Sequence, residues 1–241
     1  MKPTCRIYGI LFLTLFLVQC ISTDKKPTTS QFTVDTVAVD SLPVAVQTPP
    51  PAPPIPDYDT LEWTDIHFLD ESVLLDMRYA TENNFVEEKM YDCGRCFLRP
   101  EVAQKIVKVH QKLQQRGLGL KMYDCFRPRP IQWKLWEKVP DKRYVSDPRK
   151  GSMHNRGAAV DLTIVDGEGK QLDMGTTYDF FGPEAWSTYQ DLPDTVLANR
   201  QLLKGLLEAE GFAGIRTEWW HFSYPGKGYV LSDMLWNCED Q

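Results

Sequence analysis

Gly151–Asp166 reads GSMHNRGAAVDLTIVD. From Ala158 onward it is an apolar run, AAVDLTIVD (158–166), closed by the turn residues DGEG (166–169), the pattern of a core strand. Asp161 sits near the mouth of that run, seven residues after His154, one of only four histidines in the chain. A carboxylate at the entrance to a buried strand either caps a local turn or binds something. An isolated His or Asp is more often structural or solvated than a ligand, so the reading turns on what the rest of the sequence places beside this pair.

On either side, the periodicity alternates between helix and strand. RPEVAQKIVKVHQKLQQRG (99–117) carries Val102, Ile106, Val109 and Leu113 at spacings of three or four and stops at Gly117, a helix. LGLKMYDCF (118–126) reads as a strand closed by Pro128 and Pro130, and IQWKLWEKV (131–139) as a helix. SVLLDMRYAT (72–81) predicts a strand, TVLANRQLLKGLLEAEG (195–211) a second strong helix ending at Gly211, and the aromatic TEWWHFSY (217–224) another strand. Without regular β-α-β spacing, the expected class is α+β, a sheet with helices packed against it.

The folded part begins near Asp57 and runs to Gln241 as one domain holding all seven tryptophans. Before it, Met1–Cys20 has a basic start (Lys2, Arg6) and an apolar stretch, the outline of a secretory signal, too short for a comfortable membrane span. Its end, LVQC, resembles a bacterial lipoprotein signal, with Cys20 as the lipid attachment site; Gln19 departs from the small residue usual there. Residues 21–56, rich in Thr, Ser and Pro and ending in PPPAPPIP, predict a stiff tether. The expected setting is exported, periplasmic or cell-envelope, with a lipid anchor rather than a spanning helix. A net charge of −6 argues against a general nucleic-acid partner, and no glycine-rich phosphate loop is present.

Beyond Cys5 and Cys20, four cysteines remain: Cys93, Cys96, Cys125 and Cys238. The stretch CGRC invites a zinc knuckle or a redox pair, but the other two cysteines are too scattered for a knuckle and YDCGRCFLRP reads as a turn. Export favours disulfides, of which four cysteines allow three full pairings. A bridge from Cys93 or Cys96 to Cys125 is expected, tying the first turn region to the strand that leads to Arg127; a short Cys93–Cys96 bridge is the alternative.

Near the carboxyl end, Glu218 and His221 join the candidates. His154, Asp161 and His221 offer two imidazoles and a carboxylate, a set suited to a catalytic Zn²⁺ that keeps one position for water. Glu218 is then the carboxylate that takes the water proton. One difficulty stands against this: on an ideal strand, residues three apart point to opposite faces, so a twist or bulge is needed to bring Glu218 and His221 together.

Five ordered stretches, DMRYATENNF, YDCFRPRP, SMHNRGAAVDLTIV, DMGTTYDFFGPEAW and EWWHF, resemble the D-alanyl-D-alanine dipeptidases, VanX-type zinc peptidases related to D-Ala-D-Ala carboxypeptidases. The resemblance spans about residues 76–222. It implies an α+β fold with the metal on a central antiparallel sheet flanked by helices, and one Zn²⁺ per chain on His154, Asp161 and His221. It also implies Glu218 as the catalytic base and Arg127 as the group that stabilises the transition state. Weaker substrate-binding or supporting roles fall on Arg78, Ser152 and Asp179. Arg129 reads as a surface arginine, and Tyr123, Asp124, Trp219 and Trp220 as core around the site. The implied substrate is a small D-amino-acid dipeptide, D-Ala-D-Ala. The alternatives are a D,D- or L,D-carboxypeptidase acting on a murein-derived peptide, or a wall-binding lipoprotein without activity.

Overall fold

The computed structural model describes residues 55–238. The expected signal segment 1–20, with Cys20, and the expected tether up to residue 54 lie outside the described residues. Among those described, no helix is long and apolar enough to cross a membrane.

The organising element is β5 (Ala159–Asp166), whose side chains are almost all buried. Alternation along the strand divides them between two faces. Val160, Leu162 and Ile164 join the main apolar core, while Asp161 and Thr163 point the other way. Long β4 (Leu118–Asp124) pairs antiparallel with β5 on one side, and short β7 (His221–Ser223) on the other. β6 (Ala213–Gly214) closes that edge, antiparallel to β7, and β2 (Leu74–Leu75) adds to β4 at the opposite edge. The centre of the sheet is therefore antiparallel as expected, but β2 runs parallel to β4, which makes the sheet mixed. A separate two-stranded ribbon joins β1 (Thr64–Asp65) to β3 (Phe97–Leu98).

Helix α2 (Pro100–Gln114) opens with proline at its first position, where the missing N–H costs nothing, and buries Val102, Ile106, Val109 and Leu113 on one stripe. It packs on β4, and α4 (Asp194–Ala209) packs on β5 and against α2. Short α1 (Ile66–Leu69) packs against α2, whereas α3 (Arg129–Lys138) buries Ile131 and Leu135 in a separate cluster with Tyr79 and Tyr91, and Leu135 borders the cavity described below. Because α2 and α4 cover the face carrying Val160, Leu162 and Ile164, Asp161 projects from the opposite face.

Two predicted strands are shorter than their sequences suggest. In SVLLDMRYAT only Leu74–Leu75 pairs as a strand; the chain then turns through a 3₁₀ segment, Arg78–Ala80, that buries Tyr79. In TEWWHFSY the strand begins only at His221. The preceding Trp219 and Trp220 lie in a bend, where consecutive indoles, their rings nearly perpendicular, are both buried. The cysteines form Cys96–Cys125 and Cys93–Cys238, so the short Cys93–Cys96 alternative does not form.

Gly157 explains one letter of the opening stretch. It ends the 3₁₀ turn His154–Arg156 with φ +67°, and a Cβ there would lie 2.4 Å from the Trp63 ring. Strain and overlap act together. Gly157→Ala should destabilise the fold by about 2 kcal/mol or more, read as a lower unfolding midpoint in denaturant; an unchanged midpoint would show that the turn has room to relax.

Candidate metal centre and catalytic cavity

The register of the sheet builds the site. Asp161 is paired with Asp124 on β4 and with His221 on β7, so three polar side chains form a row across three neighbouring strands. The pairing shifts register between Met122 and Asp124. His154 comes from the turn that leads into β5. Its Nε2 lies 3.1 Å from His221 Nδ1 and 3.3 Å from Asp161 Oδ1, and His221 Nδ1 lies 2.9 Å from the same oxygen. A tetrahedral zinc with bonds of 2.0–2.1 Å separates its donors by roughly 3.3 Å, so the three atoms are already spaced to within a few tenths of an ångström of such a set.

Each donor is held by a second contact. His154 Nδ1 lies 2.7 Å from the Cys125 carbonyl oxygen, which makes it the protonated nitrogen and leaves Nε2 with a free lone pair. His221 Nε2 lies 2.9 Å from Ser223 Oγ, which holds the ring with Nδ1 turned toward Asp161 Oδ1. Tyr178 donates its hydroxyl to Asp161 Oδ2 at 3.1 Å, leaving Oδ1 toward the histidines. Burial opposes charge on Asp161, but the two histidines outweigh it and hold its pKa below the usual carboxylate range. Burial likewise opposes charge on His154, and the Asp161 carboxylate overcomes it and raises the imidazole pKa. The donor set and spacing fit a zinc ion.

Glu218 lies in the bend before β7, not on the strand, so the alternation that would have turned it away from His221 does not apply. Its half-buried carboxylate makes no hydrogen bond or ion pair among the described residues. Burial pushes its pKa up to about 7, helped by Asp161 and opposed by His221 and Arg127. A clamp fixes the segment that carries it. The Ser187 hydroxyl donates to the carbonyl oxygens of Ile215 at 2.8 Å and Arg216 at 3.2 Å, and the Ser187 N–H donates to Arg216 at 2.9 Å.

Arg127, Ser152, His154, Asp161, Asp179, Glu218 and His221 all line one cavity of about 290 Å³. Arg127 is buried there, donating from Nε and Nη2 to Asp124 Oδ2 at 3.0 and 2.7 Å and from Nη1 to Gln132 Oε1 at 3.0 Å. Its backbone N–H also donates to the His154 carbonyl at 3.1 Å. Asp124, fully buried and also accepting from Tyr91, supports Arg127 from behind the cavity, in keeping with its place in the core around the site. Ser152 caps its own turn, its N–H and hydroxyl both donating to Asn155 Oδ1. Asp179 takes a left-handed backbone, φ +56°, and accepts from the Tyr79 hydroxyl at 3.4 Å; burial, then Asp161, pushes its pKa well up.

Arg78 does not line this cavity. It pairs with Asp76 at 2.9 Å and lies 5.1 Å over the Tyr123 ring, which stacks on Tyr178, so its place is behind the site. Arg129 is paired with Asp233 at the surface, while Tyr123, Trp219 and Trp220 are buried. The sequence reading missed Tyr178, Gln132, Ser187 and the Cys125 carbonyl, none of which carries a spacing signal. Ser223, two residues after His221 on the same strand face, could have been read from alternation.

Three convergent donors on the open face of a sheet, with an unpaired carboxylate and a buried guanidinium across one small cavity, form the layout of a metallopeptidase centre. Residues 59–238 match the Peptidase M15 family, described as D-ala-D-ala dipeptidase, and the chain belongs to that family. It is 35% identical over 181 residues to a D-alanyl-D-alanine dipeptidase of Escherichia coli K12, covering 75% of this chain and 94% of the relative. Dipeptidases of the same name from Enterococcus faecium and Streptomyces coelicolor are 27% and 29% identical, over 68% and 66% of this chain and 94% and 91% of theirs.

Ser187→Ala removes the hydroxyl half of the clamp on the Glu218 segment. Turnover should fall by about tenfold through misplacement of the carboxylate, while zinc affinity, measured by chelator competition, stays unchanged because no donor is touched. Equal turnover, or a matching loss of zinc, would count against the clamp as the device that positions Glu218.

Proposed function

We propose that the chain hydrolyses D-alanyl-D-alanine to two D-alanines, with one zinc ion on His154, Asp161 and His221 and with Glu218 as general base. The observation that carries this reading is Glu218: a half-buried carboxylate without a partner, opening on the same cavity as three convergent donors. The relatives named above carry the name of that dipeptide, and a cavity of about 290 Å³ is at the small end of ligand pockets, in keeping with a small substrate.

Zinc bound at these donors supplies Lewis acidity, lowering the pKa of water and drawing charge from a carbonyl oxygen. Glu218, with its pKa near neutrality, takes one proton from water as the water oxygen bonds to the peptide carbonyl carbon. Arg127 keeps N–H groups beyond those given to Asp124 and Gln132, and it brings a positive charge to the cavity wall as negative charge grows on the carbonyl oxygen. Glu218 then passes its proton to the amide nitrogen as the C–N bond breaks, and the amine leaves. Asp179 is assigned to the substrate ammonium, whose charge favours the ionised carboxylate and opposes the rise that burial and Asp161 impose on its pKa. The hydroxyl of Ser152 is engaged with Asn155, which favours a role in shaping the turn before His154.

The proposed setting is outside the cytoplasm, with the chain tethered by lipid at Cys20. The basic and apolar start of the sequence supports this, as do the disulfides, which persist in oxidising compartments.

Three outcomes are expected. Glu218→Gln should retain zinc through dialysis yet lose at least about 100-fold in turnover of D-Ala-D-Ala, the lower end of what general acid–base catalysis contributes; loss of metal together with activity would make Glu218 a ligand instead. His154→Ala and His221→Ala should each lose zinc as well as rate, and unchanged metal content in either would remove that residue from the donor set. The base must be ionised, so kcat/KM should fall as pH drops through the Glu218 pKa. A bound cation adds to the depressing influence of His221 and Arg127, so the limb should lie at or below about pH 7. A limb well above that value in a pH–rate profile would assign it to another group.

A further inference from the structure

Residues 224–238 read YPGKGYVLSDMLWNC. Pro225, Gly226 and Gly228 interrupt the chain after β7, and the residues beyond them belong to no helix or strand. A segment without a ladder of its own opens readily unless side chains and cross-links hold it. The inner half of this one is held by the turn that carries His154. Arg156 donates from Nη1 to the Tyr229 carbonyl at 2.6 Å, and the Ser232 N–H donates to the Asn155 carbonyl at 2.9 Å. Leu231 lies so close against Gly151 that a Cβ there would come within 2.2 Å of it. The Ser232 carbonyl in turn accepts from the Arg129 N–H at 3.2 Å, so Ser232 ties the His154 turn to the start of α3, just after Arg127.

The outer half runs to the loop that carries Cys93. Trp236 packs against Tyr91, Phe97 and Phe126, and its indole N–H donates to the Cys93 carbonyl at 3.3 Å. Cys238 closes the path through its bridge to Cys93, across 145 residues of sequence. The two disulfides of the chain differ in access. Cys96 and Cys125 are fully buried, whereas Cys93 and Cys238 are both partly exposed and open to a reductant in solution.

We propose that residues 229–238 form a strap that positions the His154 turn for metal binding, and that the Cys93–Cys238 bridge is its redox-sensitive buckle. The inference rests on the zinc reading above, since His154 is the donor that the strap steadies. The thiolate of a small thiol reductant attacks one sulfur of the bridge, the S–S bond breaks and a mixed disulfide forms; a second reductant thiolate then releases that cysteine. Two electrons pass to the pair, both cysteines end as protonated thiols, and the reductant leaves as its own disulfide. With the buckle open, the outer half of the strap lifts away and draws the Ser232 N–H from Asn155. The turn then samples arrangements in which His154 is not aimed at Asp161. A reducing compartment leaves the donor set loosely assembled, and an oxidising one completes it.

The test compares the oxidised full chain, the same chain after reduced glutathione and alkylation of the freed thiols, and the double variant Cys93→Ser, Cys238→Ser. Peptide mapping checks that Cys96–Cys125 stays closed. Zinc affinity is read by chelator competition and the strap by amide hydrogen exchange. Opening the buckle by either route should weaken zinc by about tenfold, as loss of support around a metal ligand does. Exchange should quicken at Ser232 and over Gly151–Arg156 while α2 stays protected. Glutathione should leave the double variant unchanged. Ser232→Pro, which removes the N–H but keeps the bridge, should show the same loss of zinc, and Ser232→Ala, which keeps the N–H, should not. Unchanged zinc affinity with the buckle open or in Ser232→Pro overturns the strap, as does exchange that quickens equally in α2, the mark of a bridge that only stabilises the whole fold. Failure of the oxidised chain to bind zinc removes the metal reading instead, and exchange at Ser232 and the turn then still decides whether the buckle holds the strap.

Discussion

A buried carboxylate on the central strand is the constraint around which the site is built. Asp161 is held in its charged form with almost no access to water, a state that costs several kcal/mol unless charge and hydrogen bonds compensate. Here the compensation comes from three directions. His154 arrives from the turn before β5, His221 from the neighbouring strand, and Tyr178 from the segment after β5. Two imidazole nitrogens facing each other at 3.1 Å across one carboxylate oxygen form an arrangement that a cation completes. The fold thus commits three distant parts of the chain to one point.

Holding that point requires rigidity in the layer behind it. The Cys125 carbonyl that fixes His154 belongs to a residue cross-linked to Cys96, and the next residue, Phe126, donates its N–H to Phe97. One residue further, Arg127 donates its backbone N–H to the carbonyl of His154 itself. With the Asn155 side-chain amide donating to the Arg127 carbonyl at 2.7 Å, the end of β4 and the turn before β5 are stitched together three times, and the disulfide anchors the far side. Through this stitching Arg127 and His154 keep a fixed relation although 26 residues separate them in sequence. Side chains that act on one small substrate need such support, because a shift of about 1 Å can cost orders of magnitude in rate.

Much of this was legible in the sequence, for physical reasons. Helices α2 and α4 have long amphipathic stripes, and β5 has an apolar run bounded by turn residues, so local pattern and tertiary role agree. The spacing of Glu218 and His221 misled because the strand was read as continuous through Trp219 and Trp220, whereas two consecutive buried indoles force a bend. Arg78 lies in a matching stretch but faces Tyr123, and nothing in a one-dimensional pattern separates a side chain in a cavity from one behind it. The parallel pairing of β2 depended on a long crossover through α2, which strand propensity does not encode. The pairing of the cysteines was set by the meeting of β3 with the end of β4 and by the return of the chain's end to Cys93, both products of the whole fold.

Two carboxylates on one cavity are shifted in opposite directions, and their surroundings explain the difference. Asp161 touches both imidazoles and a phenol, so interactions with its charged form overcome burial and keep it an anion. Glu218 is less buried but has no hydrogen bond among the described residues to offset its desolvation, and Asp161's own charge adds to the rise against the opposing charges of His221 and Arg127, so its pKa rises to about 7. Under the proposed mechanism, the group that must stay charged to hold a cation is the group given partners, and the group that must exchange a proton is the one left without them among the described residues. The absence of a partner for Glu218 is thus as informative as the presence of three for Asp161. An added hydrogen-bond donor within reach of Glu218 would stabilise its ionised form and lower its affinity for the proton that the proposed mechanism has it carry.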